Sequence, residues 1–376
     1  MKTLLQGGRI YDPARGFVPE NLLIEDGLIL AVGRDCEGIL ADEVLELNGK
    51  RVTPGLVDIH SHGRAGYDFS TATAEEMDLM RASYAVSGVT TVLPTLASAT
   101  QEEWMASVEA IEQCGFDGIH LEGRYLNPSK RGAHPVHLLS SLDAEELKEI
   151  LDRIHIPCHL TAAFELDEDG SFARAALERG ATLGLGHTAA TAEEARRLLE
   201  RGVTSFSHLY NAMPPLHHRE GGCVSVALTS NAFCELIVDG YHVCAEMVAL
   251  AYRCAGRDRL VLISDSMEAT GMPDGEYRIA GQPVRVQDAK AMTLDGAIAG
   301  STLNLWEGVK NLMRFAGISL EEALPCATLN PARAVGLDTL VGSLQAGKRA
   351  DLLILDETDR IERVMAKGSF LPKAPV

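Results

Sequence analysis

His60 and His62 lie one residue apart in Val57-Asp58-Ile59-His60-Ser61-His62, so period-two alternation in an extended segment places both imidazoles on one face. Two nitrogens so placed can chelate one divalent ion. Groups of the same kind recur at the ends of other short apolar runs: Glu122 in His120-Leu121-Glu122-Gly123, His187 in Gly184-Leu185-Gly186-His187, His208 in Ser207-His208-Leu209 and Asp265 in Ile263-Ser264-Asp265. His242 follows a further run in Asp239-Gly240-Tyr241-His242. Imidazoles and carboxylates hold zinc first of all, and equally iron, manganese or cobalt, and such an ion lowers the pKa of a bound water toward ~7. Four histidines with Glu122 and Asp265 exceed the needs of one tetrahedral ion. One or two ions are therefore expected, with Glu122 shared. A lone histidine is more often structural, and His120, His137, His155, His159, His217 and His218 are read that way.

Six such groups meet only if the segments carrying them converge. Eight short apolar or β-branched runs follow one another: 56–60, 89–96, 118–122, 156–164, 181–187, 204–209, 234–238 and 260–264. Between them lie stretches with the spacing and charge of amphipathic helices, several opened by Ser, Thr or Asp and closed near Gly, as Thr73 before Gly88 and Thr191 before Gly202. Alternating strands and helices call for a parallel sheet, and eight units predict an α/β fold, a (β/α)8 TIM-like barrel over 54–329, with its site at the C-terminal strand ends. The two ends of the chain differ in texture. Short apolar runs broken by turn signals such as Asp26-Gly27 predict a small β-sandwich domain built from 1–53 and 330–376 together.

The balance of 34 Lys+Arg against 53 Asp+Glu, a net charge of −19, argues against nucleic acid as a partner. No apolar run approaches a membrane span and the start lacks a signal-peptide pattern, so no membrane association is expected. The eight cysteines are scattered without a CxxC pair, which suits reduced thiols in the cytoplasm. No Walker loop or GxGxxG fingerprint is present, so no nucleotide cofactor is expected.

The segment Pro54-Gly55-Leu56-Val57-Asp58-Ile59-His60-Ser61-His62-Gly63 resembles the opening strand of the metal-dependent amidohydrolase superfamily. Further blocks resemble the N-acetylglucosamine-6-phosphate deacetylases within it: Asn127-Pro128-Ser129-Lys130-Arg131-Gly132-Ala133-His134, His208-Leu209-Tyr210-Asn211-Ala212-Met213, His217-His218-Arg219-Glu220, Asp239-Gly240-Tyr241-His242 and Ala299-Gly300-Ser301. They follow the family's order over nearly the whole chain. The resemblance implies hydrolysis of the acetamide of an amino-sugar 6-phosphate in amino-sugar catabolism. It implies Glu122, His187 and His208 as central ligands and His60 and His62 as superfamily ligands for a second ion. Asp265 matches the general acid/base, itself near the metal, and His134 a residue beside the acetamido carbonyl. Ala133, Asn211, Ala212 and Ile298, Ala299 and Gly300 match sugar contacts. Arg219 and His242 match phosphate recognition that can cross the interface of a homodimer. The chain departs from the family at Arg124-Tyr125, where Pro-Phe is typical, and at Gly221-Gly222, where Pro-Gly is usual; the first departure is expected to bear on substrate preference. The alternatives are a deacetylase of a related sugar such as N-acetylgalactosamine 6-phosphate, a cyclic-amide hydrolase, and a non-catalytic assembly protein on the same scaffold.

Overall fold

The computed structural model describes residues 1–294 and 296–372. Eight strands form one parallel sheet in sequential order: β1 (Leu56–Ser61), β2 (Val89–Leu96), β3 (Ile119–Glu122), β4 (Cys158–Ala162), β5 (Thr182–Leu185), β6 (Val203–Phe206), β7 (Phe233–Ile237) and β8 (Leu260–Ile263). Most of their residues are buried, as expected where helices cover the outside of a parallel sheet and side chains fill its interior. The helices begin where the sequence places caps. Thr73, Thr100 and Thr191 each close a reciprocal capping box with the glutamate three residues on, satisfying N–H groups that a helix start leaves free.

Closure of the sheet is what brings the two ends of the ligand pattern together. Ser61 at the end of β1 bridges in parallel to Ser266, just past β8. The Asp265 N–H donates to the His60 carbonyl at 2.9 Å and the His62 N–H to the Ser266 carbonyl at 2.8 Å. Buried Asp58 ties the same strands lower down, its Oδ1 accepting from the Ser264 N–H at 3.2 Å.

Both chain ends enter a second sheet. Its order runs 369–370, 361–366, 352–355, 51–54, 2–12, 16–25 and 28–32, with 43–46 also paired to 2–12. Hydrogen bonding is continuous through all eight strands, so the two layers of the expected sandwich are parts of one sheet. It rolls over: Ile29 and Met365, from opposite ends of the order, fill the same apolar cluster with Leu5, Ile10 and Leu352. At the seam the Ala350 N–H reaches the Gly27 carbonyl at 2.8 Å. We propose 1–53 with 330–376 and 54–329 as the two domains. Residues 332–341 join them, since Ala332, Val335, Leu337 and Val341 bury against Val57 and Ile59 of β1 and Ile263 of β8.

One element goes unanticipated in the sequence. After β8 the chain makes a three-stranded antiparallel sheet, Gly275–Ile279, Gln282–Gln287 and Lys290–Thr293, before returning to the barrel. Its turn at Ala280 hangs over the C-terminal ends of the barrel strands and helps to wall the cavity there.

Candidate active site

A cavity of about 450 Å³ opens at the C-terminal ends of the strands. Its floor is Glu122, the last residue of β3, nearly fully buried and met by imidazoles from three directions. His60 and His62 bring Nε2 to 3.1 and 3.0 Å from Glu122 Oε2. His187 and His208 bring Nε2 to 3.3 and 2.9 Å from Oε1. Each oxygen of one carboxylate thus faces its own pair of imidazoles. Asp265 Oδ1 stands 3.4 Å from His62 Nε2 and 3.6 Å from His60 Nε2, and His134 Nε2 lies 3.8 Å from Glu122 Oε2.

The strands end sooner than the sequence suggests. β5, β6 and β8 stop at Leu185, Phe206 and Ile263, and the candidate site residues come two positions later, in left-handed backbone: His187 at φ 47°, His208 at φ 33° and Asp265 at φ 47°. Non-glycine residues pay for that conformation, and such strain gathers where a side chain must be aimed. Here hydrogen bonds fix the bend; Asp265, for example, is clasped by its N–H to His60 and by the Ser301 N–H on its carbonyl at 2.7 Å.

The donor set fits a divalent cation on its own chemistry. His187 Nδ1 lies 2.8 Å from the Lys130 carbonyl and His208 Nδ1 3.2 Å from the Asn211 carbonyl. A carbonyl only accepts, so each Nδ1 carries the hydrogen and each neutral Nε2 presents a lone pair. Those lone pairs point at a carboxylate oxygen. Acceptor facing acceptor at about 3 Å requires positive charge between them, whether as added protons or as a metal ion. The titration behaviour expresses the same demand. Burial opposes its charge, yet hydrogen bonds and charge from Asp265 and Glu122 raise His62 to about 10. Burial likewise works against the carboxylates, but His60, His187 and His208 hold Glu122 well below its ordinary value, and His60 and His62 hold Asp265 down. His134 behaves in the opposite way: burial foremost, with His187 beside it, pushes it down to about 3, so it is neutral. The groups placed so that they could hold a metal ion fall into two sets that share a member, His60–His62–Glu122 and Glu122–His187–His208.

The sequence profile of the amidohydrolase family matches residues 51–371, from the last strand before the barrel to the end of the second sheet. This chain belongs to the amidohydrolase family. The amidohydrolase is 33% identical to an N-acetylgalactosamine-6-phosphate deacetylase of Escherichia coli O157:H7 over 98% of this chain and 99% of that protein. It is also 33% identical to an N-acetylglucosamine-6-phosphate deacetylase of Vibrio furnissii over 92% of this chain and 89% of that protein. Among solved structures it superimposes on a mutant N-acetyl-D-glucosamine-6-phosphate deacetylase of Mycobacterium smegmatis in complex with N-acetyl-D-glucosamine-6-phosphate, with a TM-score of 0.90 and 32% identity over 98% of each chain.

In this amidohydrolase the cavity also gathers Ala133, His134, Asn211, Ala212, His242, Ile298, Ala299 and Gly300. Gly300 sits at φ 61°, and a Cβ there would lie 2.8 Å from Ile279 Cδ1, so close approach of the overhanging sheet depends on glycine. His242 is anchored through Nδ1 to Asp239 Oδ2 at 2.6 Å, leaving Nε2 for other work. Arg219 does not line the cavity of its own chain; it is exposed, with Nη1 2.8 Å from His218 Nε2. Arg124, expected to influence substrate choice, also stays out: its guanidinium is spent on Glu146 and the Ala99 carbonyl. Lys130 is a wall residue that sequence reasoning did not single out, and Ile279 and Ala280 are others. A signal for Lys130 existed, a cation four residues before His134 in a stretch rich in turn formers. His120 is structural as read, buried with its nitrogens on Thr95 and Thr161.

Proposed function

We propose that this amidohydrolase hydrolyses the acetamide of N-acetyl-D-glucosamine 6-phosphate, releasing D-glucosamine 6-phosphate and acetate, as a cytoplasmic enzyme of amino-sugar catabolism. The observation that carries the reading is Glu122 held between four imidazoles, with Asp265 and His134 flanking it at the floor of a cavity sized for a small ligand. The names of the relatives supply the substrate class. His60, His62, Glu122, His187 and His208 would hold one or two divalent ions, with Glu122 common to both, and Asp265 at their edge; nitrogen and oxygen donors favour zinc first, then iron, manganese or cobalt. Such an ion supplies Lewis acidity and brings a water's pKa toward ~7.

The protein's own groups do the rest. Asp265, ionised, accepts a proton from the attacking water and returns it to the amide nitrogen, which leaves as an amine only once protonated. His134 donates from Nε2 to the carbonyl oxygen as negative charge develops there. Ala133, Asn211, Ala212 and the 298–300 segment hold the sugar against the cavity wall, while two other wall residues take the phosphate: His242, and Lys130, whose Nζ donates to the Met213 carbonyl at 3.3 Å. Arg219 completes the phosphate site from the partner of a homodimer.

The test is acetate release from N-acetylglucosamine 6-phosphate, its unphosphorylated parent and the galacto epimer, with metal content quantified. Preference for the phosphorylated gluco sugar is expected. Preference for the galacto epimer would support the second reading, which the full-length match to the Escherichia coli protein favours; cleavage of none of the three by metal-loaded protein would overturn both. A second expectation concerns the metal itself. Chelation should abolish turnover and lower the thermal midpoint, because a ligand bound only by the native state stabilises it, by about 4 kcal/mol at 1,000 times its dissociation constant. Unchanged melting and unchanged activity after complete metal removal would refute the metal assignment.

A further inference from the structure

We infer that Ser98 is a positioning residue for this hydrolysis: it holds His134 in the tautomer whose proton sits on Nε2 and faces the cavity. The inference deepens the deacetylase reading and rests on it for its catalytic consequence.

The tautomer follows from which groups can donate. His134 Nδ1 faces two atoms of Ser98, the backbone nitrogen at 3.4 Å and Oγ at 2.9 Å. A backbone N–H only donates, so this longer contact favours an Nδ1 that presents its lone pair, and the shorter one to the hydroxyl decides it. The hydroxyl is directed the same way from behind. The Arg124 N–H donates to Ser98 Oγ at 2.9 Å, occupying an acceptor site and leaving the hydroxyl hydrogen free for His134. The one proton of the neutral imidazole is then on Nε2, the nitrogen near Glu122. In the other tautomer an N–H would meet the Ser98 backbone N–H, and a lone pair would face the substrate carbonyl. That arrangement repels the charge His134 is placed to receive.

The surrounding chain is built to hold Ser98 in this place. Ser98 follows β2 and is 3% exposed. It packs directly on Gly123, where a Cβ would lie 2.4 Å from the Ser98 nitrogen and 2.6 Å from its Cα, so the approach exists only because residue 123 is glycine. Arg124, whose N–H meets Ser98, adopts φ 53°, a costly conformation for a side-chain-bearing residue. The bend is pinned by the Arg124 guanidinium on Glu146 and on the Ala99 carbonyl, and by the Tyr125 hydroxyl, which donates to Glu146 at 2.9 Å. The Arg124-Tyr125 pair thereby has a role outside the cavity. A proline at 124 would have no N–H to give.

The experiment is a double-mutant cycle of Ser98→Ala and His134→Ala in metal-loaded protein, with metal content and unfolding curves recorded for each variant. Loss of one neutral hydrogen bond predicts that Ser98→Ala lowers kcat about tenfold with KM changed less than about twofold. No further loss is expected in the His134→Ala background, because Ser98 acts only through His134. Ser98→Cys, close in volume but a weak donor, should resemble Ser98→Ala and not the wild type. In metal-free protein carrying 15N-labelled histidine, the resonance lost on His134→Ala should show the Nε2-protonated pattern, and Ser98→Ala should move it toward mixed tautomers. Equal fractional losses in both backgrounds, an unchanged kcat in Ser98→Ala, or an Nδ1-protonated His134 in the wild type would each overturn the inference. A wild type that hydrolyses none of the sugars would instead remove the deacetylase reading, while the 15N pattern still decides the tautomer.

Discussion

Replacing Asp265 by asparagine is expected to cut kcat by about 10³-fold, within the 10²–10⁴ range for removal of a general acid/base, while metal content stays at the wild-type level. The substitution keeps size and planarity, so the bend at φ 47° and the clasp to His60 and Ser301 are retained. What disappears is a group able to accept a proton and pass it on. In the native site the carboxylate is held ionised by His60 and His62 despite its burial, and its Oδ1 is directed to the rim of the Glu122 cluster. The proposed ligand groups His60–His62–Glu122 and Glu122–His187–His208 do not require it, which is why the ion should remain. Turnover of N-acetylglucosamine 6-phosphate and elemental analysis of the same preparation check both halves. If kcat falls less than tenfold, the proton transfer is not Asp265's; if the metal leaves with the carboxylate, Asp265 is a ligand first.

How far a sequence speaks about this site depends on whether the backbone keeps its period. His60 and His62 lie within a regular strand, so alternation alone places both rings on one face. His187, His208 and Asp265 lie beyond the last ladder bonds of their strands, where left-handed residues re-aim the side chains. Apolar runs give the approximate position of such residues but not the turn that aims them. The same limit hides Ser98, whose importance comes from the glycine opposite and from a main-chain N–H 26 residues away in sequence. The overhanging sheet was legible in principle: Val284 and Val286 alternate with exposed Pro283 and Arg285. Its strands are short, and nothing local announces that the Ala280 turn covers a cavity formed by strands earlier in the chain. Lys130 illustrates a different blindness, since a lysine in a turn-rich loop is ordinarily solvated. Its carbonyl orienting His187 is a main-chain contact that residue type does not encode.

Arg219→Ala should lower kcat/KM for the phosphorylated sugar about 10²-fold, as truncating one partner of a charge-assisted contact does, and leave the unphosphorylated sugar nearly unaffected. The expectation starts from electrostatics. A chain of net charge −19 repels a phosphate dianion at long range, so affinity must come from cations held at the site. Within one chain the wall offers one cation, Lys130, and the His242 imidazole as a hydrogen-bonding group, whereas Arg219 projects from the surface on the segment after Met213, beside exposed Leu216 and His217. In the proposed homodimer Arg219 reaches the phosphate held in the other copy's cavity. That geometry has a consequence separable from simple loss of binding. In a twofold dimer pairing an Arg219→Ala chain with an Asp265→Asn chain, the first keeps its proton-transfer group and receives the intact arginine of the second. One site is whole. Random association makes half the dimers mixed with one whole site of two, so coexpression should recover about a quarter of wild-type activity from two nearly inactive variants. Activity equal to the sum of the separate variants, together with a monomeric mass in solution, would place the phosphate on Lys130 and His242 alone.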